Sequence, residues 1–391
     1  MNKDNQRENG KTAITDLNAA REQIRNTDLQ MRELFLQRLE ALRTIAQWKK
    51  ERGLPAEDRE QESRILSDLS SGVTEEAQRS FYHCFLQDVM TVSNQWQHHL
   101  MEGLRIAYSG VEGAFGHVAA MRIFPDGTKI PYSSFEDAYN AVEKGDCDLA
   151  VLPIENSYAG EVGQVLDLMF SGNLHVNGVY DLPITQNLLG LPGTKAESIR
   201  TVISHPQALS QCRPYIRRHG YLEKNASNTA MAAKEVAEGK NPSVGAIASS
   251  ETAQLYGLQI LDHDINESRL NTTRFAVFSR VEYPTVTRKE KGAFLLLFTV
   301  KDEVGGLAKA VNVISAYNFN MRVLRSHPMQ NLPWHYYFYA EVEGRDSSED
   351  GQRMLSALRG VCPMVKVAGS YTTTENVLSE AESPERRIDK R

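Results

Sequence analysis

A seven-residue apolar repeat runs through the first fifty residues and is broken by charge. With Leu17, Ile24, Met31 and Ile45 at the d positions of a heptad, Phe35 and Leu42 fall at a, which makes one continuous stripe on a long helix. Arg38 also falls at d, while Arg21, Asp28 and Lys49 fall at a. A lone cation on such a stripe is usually a helix-end side chain that snorkels or one half of an ion pair. Three are harder to dismiss, because each unpaired buried charge costs several kcal/mol and Asp28 answers only one. An anionic ligand inside a helical bundle answers the rest.

Helix geometry adds a constraint. Arg21 and Arg38 are seventeen residues apart, about 25 Å along a continuous helix, too far to grip one small molecule. Arg38 and Lys49 are about 16 Å apart on the same face, within joint reach of a ligand between them. If all three cations serve one site, Arg21 comes from a second copy of the chain, so the pattern predicts an intertwined dimer.

Beyond this helix the texture changes twice. Residues 14–100 are poor in glycine and rich in Leu, Glu, Arg and Gln, a helical composition. From Leu104 short β-rich runs alternate with helical stretches, at Arg105–Tyr108, Asp148–Leu152, Thr201–Ser204, Val244–Ile247 and Phe275–Phe278, which predicts an α/β layer fold through Arg280. After a charged link at 287–292 comes a third pattern. Strand Ala293–Val300, helix Gly306–Tyr317, strands Met321–Ser326 and Trp334–Val342, helix Glu349–Arg359 and strand Val365–Tyr371 give the βαββαβ order of an α+β ferredoxin-like module spanning 292–371. Residues 1–13 and 372–391 are polar tails.

Composition limits the partners. The 391 residues carry a net charge of −6 and no basic tract, so there is no footprint for nucleic acid. The longest apolar run is far below a membrane span, and the polar start lacks a signal core. Cys84, Cys147, Cys212 and Cys362 show no ligand spacing and read as separate reduced thiols of a cytoplasmic protein, without metal or cofactor. The loop Gly110-Val-Glu-Gly-Ala-Phe-Gly116 mimics a dinucleotide fingerprint, but its spacing is wrong; a tight turn with close backbone approach accounts for it.

Arg21, Arg38, Lys49, Asp58, Glu62 and Gln95 follow one another at spacings that resemble the all-α chorismate mutase family. The resemblance implies a chorismate dianion held by the partner's Arg21, by Arg38 and by Lys49. It also implies that Lys49 and Gln95 donate to the ether oxygen, while Glu62, with Asp58 beside it, binds the ring hydroxyl. A pericyclic rearrangement needs no nucleophile, so fixing a compact conformer and placing donors at the developing charge suffices. Gln61 and Thr91 depart from the Arg and Ser common in that family.

In the second region several β runs end in polar clusters that suit helix starts: Pro153–Ser157, Ser204–Gln207, Asn225–Thr229 and Ala248–Thr252. Together on one α/β edge they predict a cleft that takes carboxylates without arginines. Pro153-Ile-Glu-Asn-Ser157, Ser204-His-Pro-Gln207 with Gln211, and Asn271-Thr-Thr-Arg-Phe275 resemble the prephenate dehydratase signatures. That resemblance implies two lobes of the periplasmic-binding-protein type with the site between them, and loss of carbon dioxide and water from prephenate. Thr273 is then the group at the leaving hydroxyl. Glu155, Asn156, Ser157, Ser204, Gln211, Thr229, Arg274 and Phe275 are the expected substrate-binding residues. His205, beside Pro206, reads equally as a helix cap. Ala114 and Gly116 stand where the family usually carries hydroxyls.

The third region resembles the ACT family of amino-acid-binding modules through Gly305-Gly-Leu-Ala308 and Arg325-Ser-His-Pro328. The resemblance implies phenylalanine as effector at Gly305, Gly306, Leu307, Ala308, Arg325, Ser326, His327 and Pro328. Arg325 and His327 replace the usual Glu and Arg, which puts that sensing in question. The expectation is thus a bifunctional enzyme of phenylalanine biosynthesis, a homodimer or higher homo-oligomer. The competing readings are a catalytically silent two-lobed sensor and a plain dimerisation bundle.

Overall fold

A computed structural model describes residues 5–268, 270–282, 292–329, 332 and 334–372. The link at 287–291, residues 1–4 and the tail beyond 372 lie outside the described residues. The chain separates into two compact units, Met1–Gly103 and Leu104–Arg391.

The first unit is three helices: α1 (Asn5–Glu51), α2 (Arg59–Ser71) and α3 (Glu76–Glu102). Asp58 caps α2 by accepting from the Gln61 amide at 3.1 Å. α3 packs on the C-terminal half of α1, where Leu42 and Ala46 are buried, and the Trp96 indole donates to the Leu39 carbonyl at 3.2 Å. The other half of the stripe is bare within one chain: Leu17, Ile24 and Met31 are 49, 63 and 43% exposed.

The second unit opens with β1 (Arg105–Ser109), α4 (Phe115–Ile123), β2 (Thr128–Tyr132), α5 (Phe135–Lys144), β3 (Leu149–Asn156), β4 (Gly160–Glu161), α6 (Gly163–Ser171) and β5 (His175–Pro183). The chain then crosses to β6 (Asn187–Gly190), β7 (Thr201–Ser204), α7 (Pro206–Gln211), α8 (Arg213–His219), β8 (Leu222–Asn225), α9 (Thr229–Gly239), β9 (Val244–Ala248), α10 (Ser250–Leu255) and β10 (Gln259–Asp262). It returns as β11 (Thr272–Ser279), which enters the first sheet between β3 and β5, antiparallel to both. The sheets run β2-β1-β3-β11-β5 and β10-β6-β9-β7-β8, so two lobes are joined by two crossing segments. The Ile184 amide donates to the Asn271 carbonyl and the Ile265 amide to the Gln186 carbonyl, both at 2.8 Å, which ties those segments together.

The remainder is β12 (Gly292–Thr299), α11 (Gly306–Ala316), β13 (Met321–Pro328), β14 (Tyr336–Glu343), α12 (Glu349–Val361) and β15 (Met364–Thr372). Its sheet, β13-β14-β12-β15, has the strand order of a ferredoxin-like module. β12 explains the longest apolar run in the sequence, because it is buried on both faces. Phe294, Leu296 and Phe298 pack under α11 and α12, while Ala293, Leu295 and Leu297 join the core of the first lobe with Tyr139, Val176 and Phe278. Lys366 reinforces that junction by donating to the carbonyls of Met169, Phe170 and Gly172 at the end of α6.

One expected element differs. Pro153–Ser157 does not start a helix; it ends β3 and turns into β4, because the Asn156 carboxamide oxygen accepts from the amides of Tyr158 and Ala159 at 3.0 and 2.8 Å. The module's seat on the lobe yields a test. A Cβ on Gly369 would lie 2.0 Å from the Val176 carbonyl oxygen, so β15 meets β5 with no room for a methyl group. Gly369→Ala is therefore expected to cost about 2 kcal/mol or more and to lower the thermal midpoint by roughly 4 °C or more in calorimetry; an unchanged midpoint would contradict this packing.

Candidate active sites

In the first unit the charged stripe residues meet polar partners on α3. The Arg38 Nε donates to the Ser93 hydroxyl at 3.1 Å, and the Asn94 carboxamide nitrogen donates to the Glu62 carboxylate at 3.1 Å. Glu62 also accepts from the Asp58 backbone amide at 3.3 Å. Gln95 follows these two partners directly, and its side-chain Nε2 is buried with no partner. An unmade buried donor costs about 1–3 kcal/mol. Lys49 donates to the Ala56 carbonyl at the turn into α2. Arg21 is exposed on α1, about 25 Å from Arg38, and takes no part in this cluster within one chain. Ser93 and Asn94 were not singled out in the sequence; their place beside Gln95 was the available signal.

The second unit holds a cavity of about 510 Å³ between its lobes. It is lined by the β3–β4 turn, by β11, by the starts of α4, α7 and α9, and by the crossing segments. The alternation of β11 decides what reaches it: Thr273 and Phe275 line the cavity, whereas Arg274 between them points to the opposite face. Asn156, Gln211 and Thr229 line it as well.

A polar ladder crosses the cavity wall. Gln211 Oε1 accepts from Asn271 Nδ2 at 3.1 Å, and Asn271 Oδ1 accepts from Asn156 Nδ2 at 2.9 Å. Asn156 Nδ2 also donates to Thr273 Oγ1 at 2.9 Å. Because the Asn156 oxygen is engaged by two backbone amides, its nitrogen must face Thr273. Thr273 thus accepts at its oxygen from Asn156. Asn271, 4% exposed, was quoted in the sequence only as part of a motif, and its linking role comes from the crossing segment that carries it.

Four expected cleft residues lie elsewhere. Ser204 is fully buried and donates to the Ile247 carbonyl at 2.6 Å, which locks β7 to β9. Ser157 donates to the Leu270 carbonyl at 3.0 Å outside the cavity wall. Glu155 and Arg274 face the C-terminal module. Arg274 pairs with Glu341 at 2.6 Å, Asp181 at 3.4 Å and Glu155 at 3.7 Å. Burial alone would ease proton loss from Arg274, but its hydrogen bond to Glu341 and that group's charge outweigh burial and hold it protonated. His205 lines the cavity and also caps α7, its Nδ1 accepting from the Gln207 amide at 3.2 Å. The glycine loop is explained by packing: a Cβ on Gly116 would sit 2.8 Å from the Ser109 carbonyl oxygen, so α4 starts against β1.

The motif residues of the C-terminal module divide likewise. Gly305, with φ of 80°, and Gly306, Leu307 and Ala308 form the turn into α11. Arg325 and His327 on β13 do not face that turn; they pair with Glu155, Glu161 and Asp167 of the first lobe. Ser326 and Pro328, between and after them, are exposed.

Comparison with known proteins matches this division. The chorismate mutase type II family matches residues 20–98, and the prephenate dehydratase family matches residues 106–283. The bifunctional chorismate mutase/prephenate dehydratase of Escherichia coli K12 is 30% identical, over 94% of this chain and 98% of that protein. Arogenate dehydratase/prephenate dehydratase 1 of Arabidopsis thaliana is 32% identical, over 79% of this chain and 84% of its own length. Among solved structures, the prephenate dehydratase of Arthrobacter aurescens in complex with L-Phe superposes with a TM-score of 0.65 at 26% identity, covering 72% of this chain and 94% of that one. With both catalytic regions present in one chain and the E. coli relative matched along almost its full length, this protein belongs to the bifunctional chorismate mutase/prephenate dehydratase family.

Proposed function

We propose that the two units perform consecutive steps of phenylalanine biosynthesis: residues 14–100 rearrange chorismate to prephenate, and residues 104–280 convert prephenate to phenylpyruvate. The observation that carries the second step is the Thr273 hydroxyl, which lines the cavity and accepts from Asn156, an arrangement that supports its donating to the departing oxygen. The ring carboxylate departs as carbon dioxide, its bonding electrons move through the ring, and the hydroxyl is expelled with the electron pair of its carbon–oxygen bond as hydroxide, which takes a proton from solvent to become water. Aromatisation drives the change, so a hydrogen bond from Thr273 to the departing oxygen is enough, without full proton transfer from a weak acid. Asn156, Gln211, Thr229 and Phe275 line the substrate's position.

In the first unit Arg38 and Lys49 hold the chorismate carboxylates, Lys49 and Gln95 donate to the ether oxygen, and Glu62 near Asp58 takes the ring hydroxyl. The orphaned Gln95 donor supports this reading. The bare apolar half of α1 supports an intertwined homodimer, in which a second copy covers Leu17, Ile24 and Met31 and supplies the partner's Arg21. Among the described residues no helix is long and apolar enough to cross a membrane, and we assign the enzyme to the cytoplasm. No metal or cofactor is required by either step.

We further assign residues 292–371 as an ACT module through which phenylalanine regulates the dehydratase, with the Gly305–Ala308 turn as the effector's backbone contact. The L-Phe complex of the Arthrobacter relative supports this. Saturating phenylalanine is expected to change the prephenate turnover rate or the thermal midpoint; no change in either would refute the assignment.

Separate sites predict separable losses. Arg38→Ala is expected to lower mutase turnover by about 10²-fold or more and spare prephenate turnover, and Thr273→Ala to do the reverse. Equal loss of both activities in either variant would contradict the division. Mixing Arg21→Ala with Arg38→Ala chains is expected to restore part of the mutase activity after subunit exchange. Verified heterodimers with no recovery would argue against a shared site.

A further inference from the structure

Under the reading above the dehydratase cavity holds a dianion, yet among the described residues lining it there is no lysine or arginine. Neutral donors have to meet the carboxylates, and several amides of the wall are already engaged. Asn156 Nδ2 is committed to Asn271 Oδ1 and Thr273 Oγ1, and Asn271 Nδ2 to Gln211 Oε1. Gln186, which no motif singled out, is not.

Gln186 stands on the segment that crosses from β5 to β6, where extended chain sends successive side chains to opposite sides. Ile184 and Gln186 line the cavity, whereas Thr185 and Asn187 do not. Asn187 turns the other way, donating to the Ala248 carbonyl at 3.4 Å and accepting from the Asp264 amide at 3.1 Å. The backbone of Gln186 is pinned on both sides: its amide donates to Asn266 Oδ1 at 3.0 Å, and its carbonyl accepts from the Ile265 amide at 2.8 Å. Only the carboxamide is unengaged. The residue is 2% exposed, its Oε1 is buried with no partner, and among the described residues Nε2 has none either. A carboxamide this deep is costly unless something brings it a partner, and the cavity is the side from which a partner can come.

Facing the cavity, Nε2 offers a donor, and carboxylate oxygens are the strongest acceptors that the substrate carries. The substrate's two carboxylates are not equivalent. The ring carboxylate loses its charge as carbon dioxide departs, so a donor held against it would favour the ground state over the transition state and slow the step. The side-chain carboxylate keeps its charge from prephenate to phenylpyruvate, and a donor there binds every species alike.

We propose that Gln186 is a further substrate-binding residue of the dehydratase site, donating from Nε2 to the side-chain carboxylate of the keto acid. The inference rests on the dehydratase reading of the cavity. A neutral amide on the segment between the lobes thus takes the place of the absent cation.

The test uses the full-length chain, with steady-state kinetics on prephenate and phenylpyruvate as product inhibitor. Gln186→Met keeps the length of the side chain and removes its donor; it is expected to raise KM for prephenate by about tenfold with kcat within about twofold. Phenylpyruvate retains the side-chain carboxylate but lacks the ring carboxylate and the hydroxyl, so its inhibition constant is expected to rise by about the same factor. A raised KM with an unchanged phenylpyruvate constant would assign Gln186 to a departing group and overturn the proposal, as would an unchanged KM or a fall in kcat alone. Mutase activity and the thermal midpoint report whether Gln186→Met folds. Should it not, Gln186→Glu decides, because it keeps the size and puts a negative oxygen in place of the donor. It is expected to weaken inhibition by phenylpyruvate more than about tenfold and inhibition by its uncharged methyl ester less than about threefold, and equal changes for the two would overturn the proposal. A wild-type protein that binds phenylpyruvate without converting prephenate would refute the dehydratase reading while leaving the comparison at Gln186 measurable by binding.

Discussion

The ion pair between Arg274 and Glu341 organises the larger unit. Glu341 is 1% exposed, and a carboxylate so deep, left without a partner, costs several kcal/mol. Arg274 meets that demand from β11, the strand that returns from the second lobe to lie in the first sheet between β3 and β5. Strand periodicity then fixes everything beside it. With Arg274 committed to the module, Thr273 and Phe275 must face the cavity. The three-residue run that marks the family serves two faces at once, one docking a sheet and the other presenting a hydroxyl.

The two proposed sites would meet anionic substrates differently. In the reading proposed for the helical unit the cations stand on the ligand face of an apolar stripe, and a second chain completes the site. In the two-lobed unit the cavity wall is neutral and amide-rich. Among the described residues that line it there is no lysine or arginine, and Asn156, Gln211 and Asn271 supply its amides. The net charge of −6 is compatible with anionic substrates because charge is balanced locally, residue by residue.

Much of this was legible in the sequence, for physical reasons that also explain the rest. The third region was read almost element by element, because β12 is buried on both faces and leaves an unmistakable apolar run, and because its helices carry clear amphipathic spacing. Asn156, Gln211 and Thr273 were found through local motifs. Ser204, Glu155 and Arg274 belong to those same motifs but point away from the cavity. Sequence adjacency does not say which face of a strand a side chain takes when both faces are covered. Arg325 and His327 stood out only as departures from a familiar signature. Their actual partners, Glu155, Glu161 and Asp167, lie more than 150 residues away in the chain, and only the docking of β15 on β5 brings them near. The linking role of Asn271, which stands in one of those motifs, stayed hidden because a crossing segment has no periodicity to betray a buried amide.

The most direct test of the account is to supply the purified chain with chorismate alone and follow three species by chromatography. The account predicts that chorismate disappears, prephenate rises and falls, and phenylpyruvate accumulates to match the chorismate consumed. Unconsumed chorismate would contradict the helical site, and prephenate that accumulates without phenylpyruvate would contradict the chemistry assigned to Thr273.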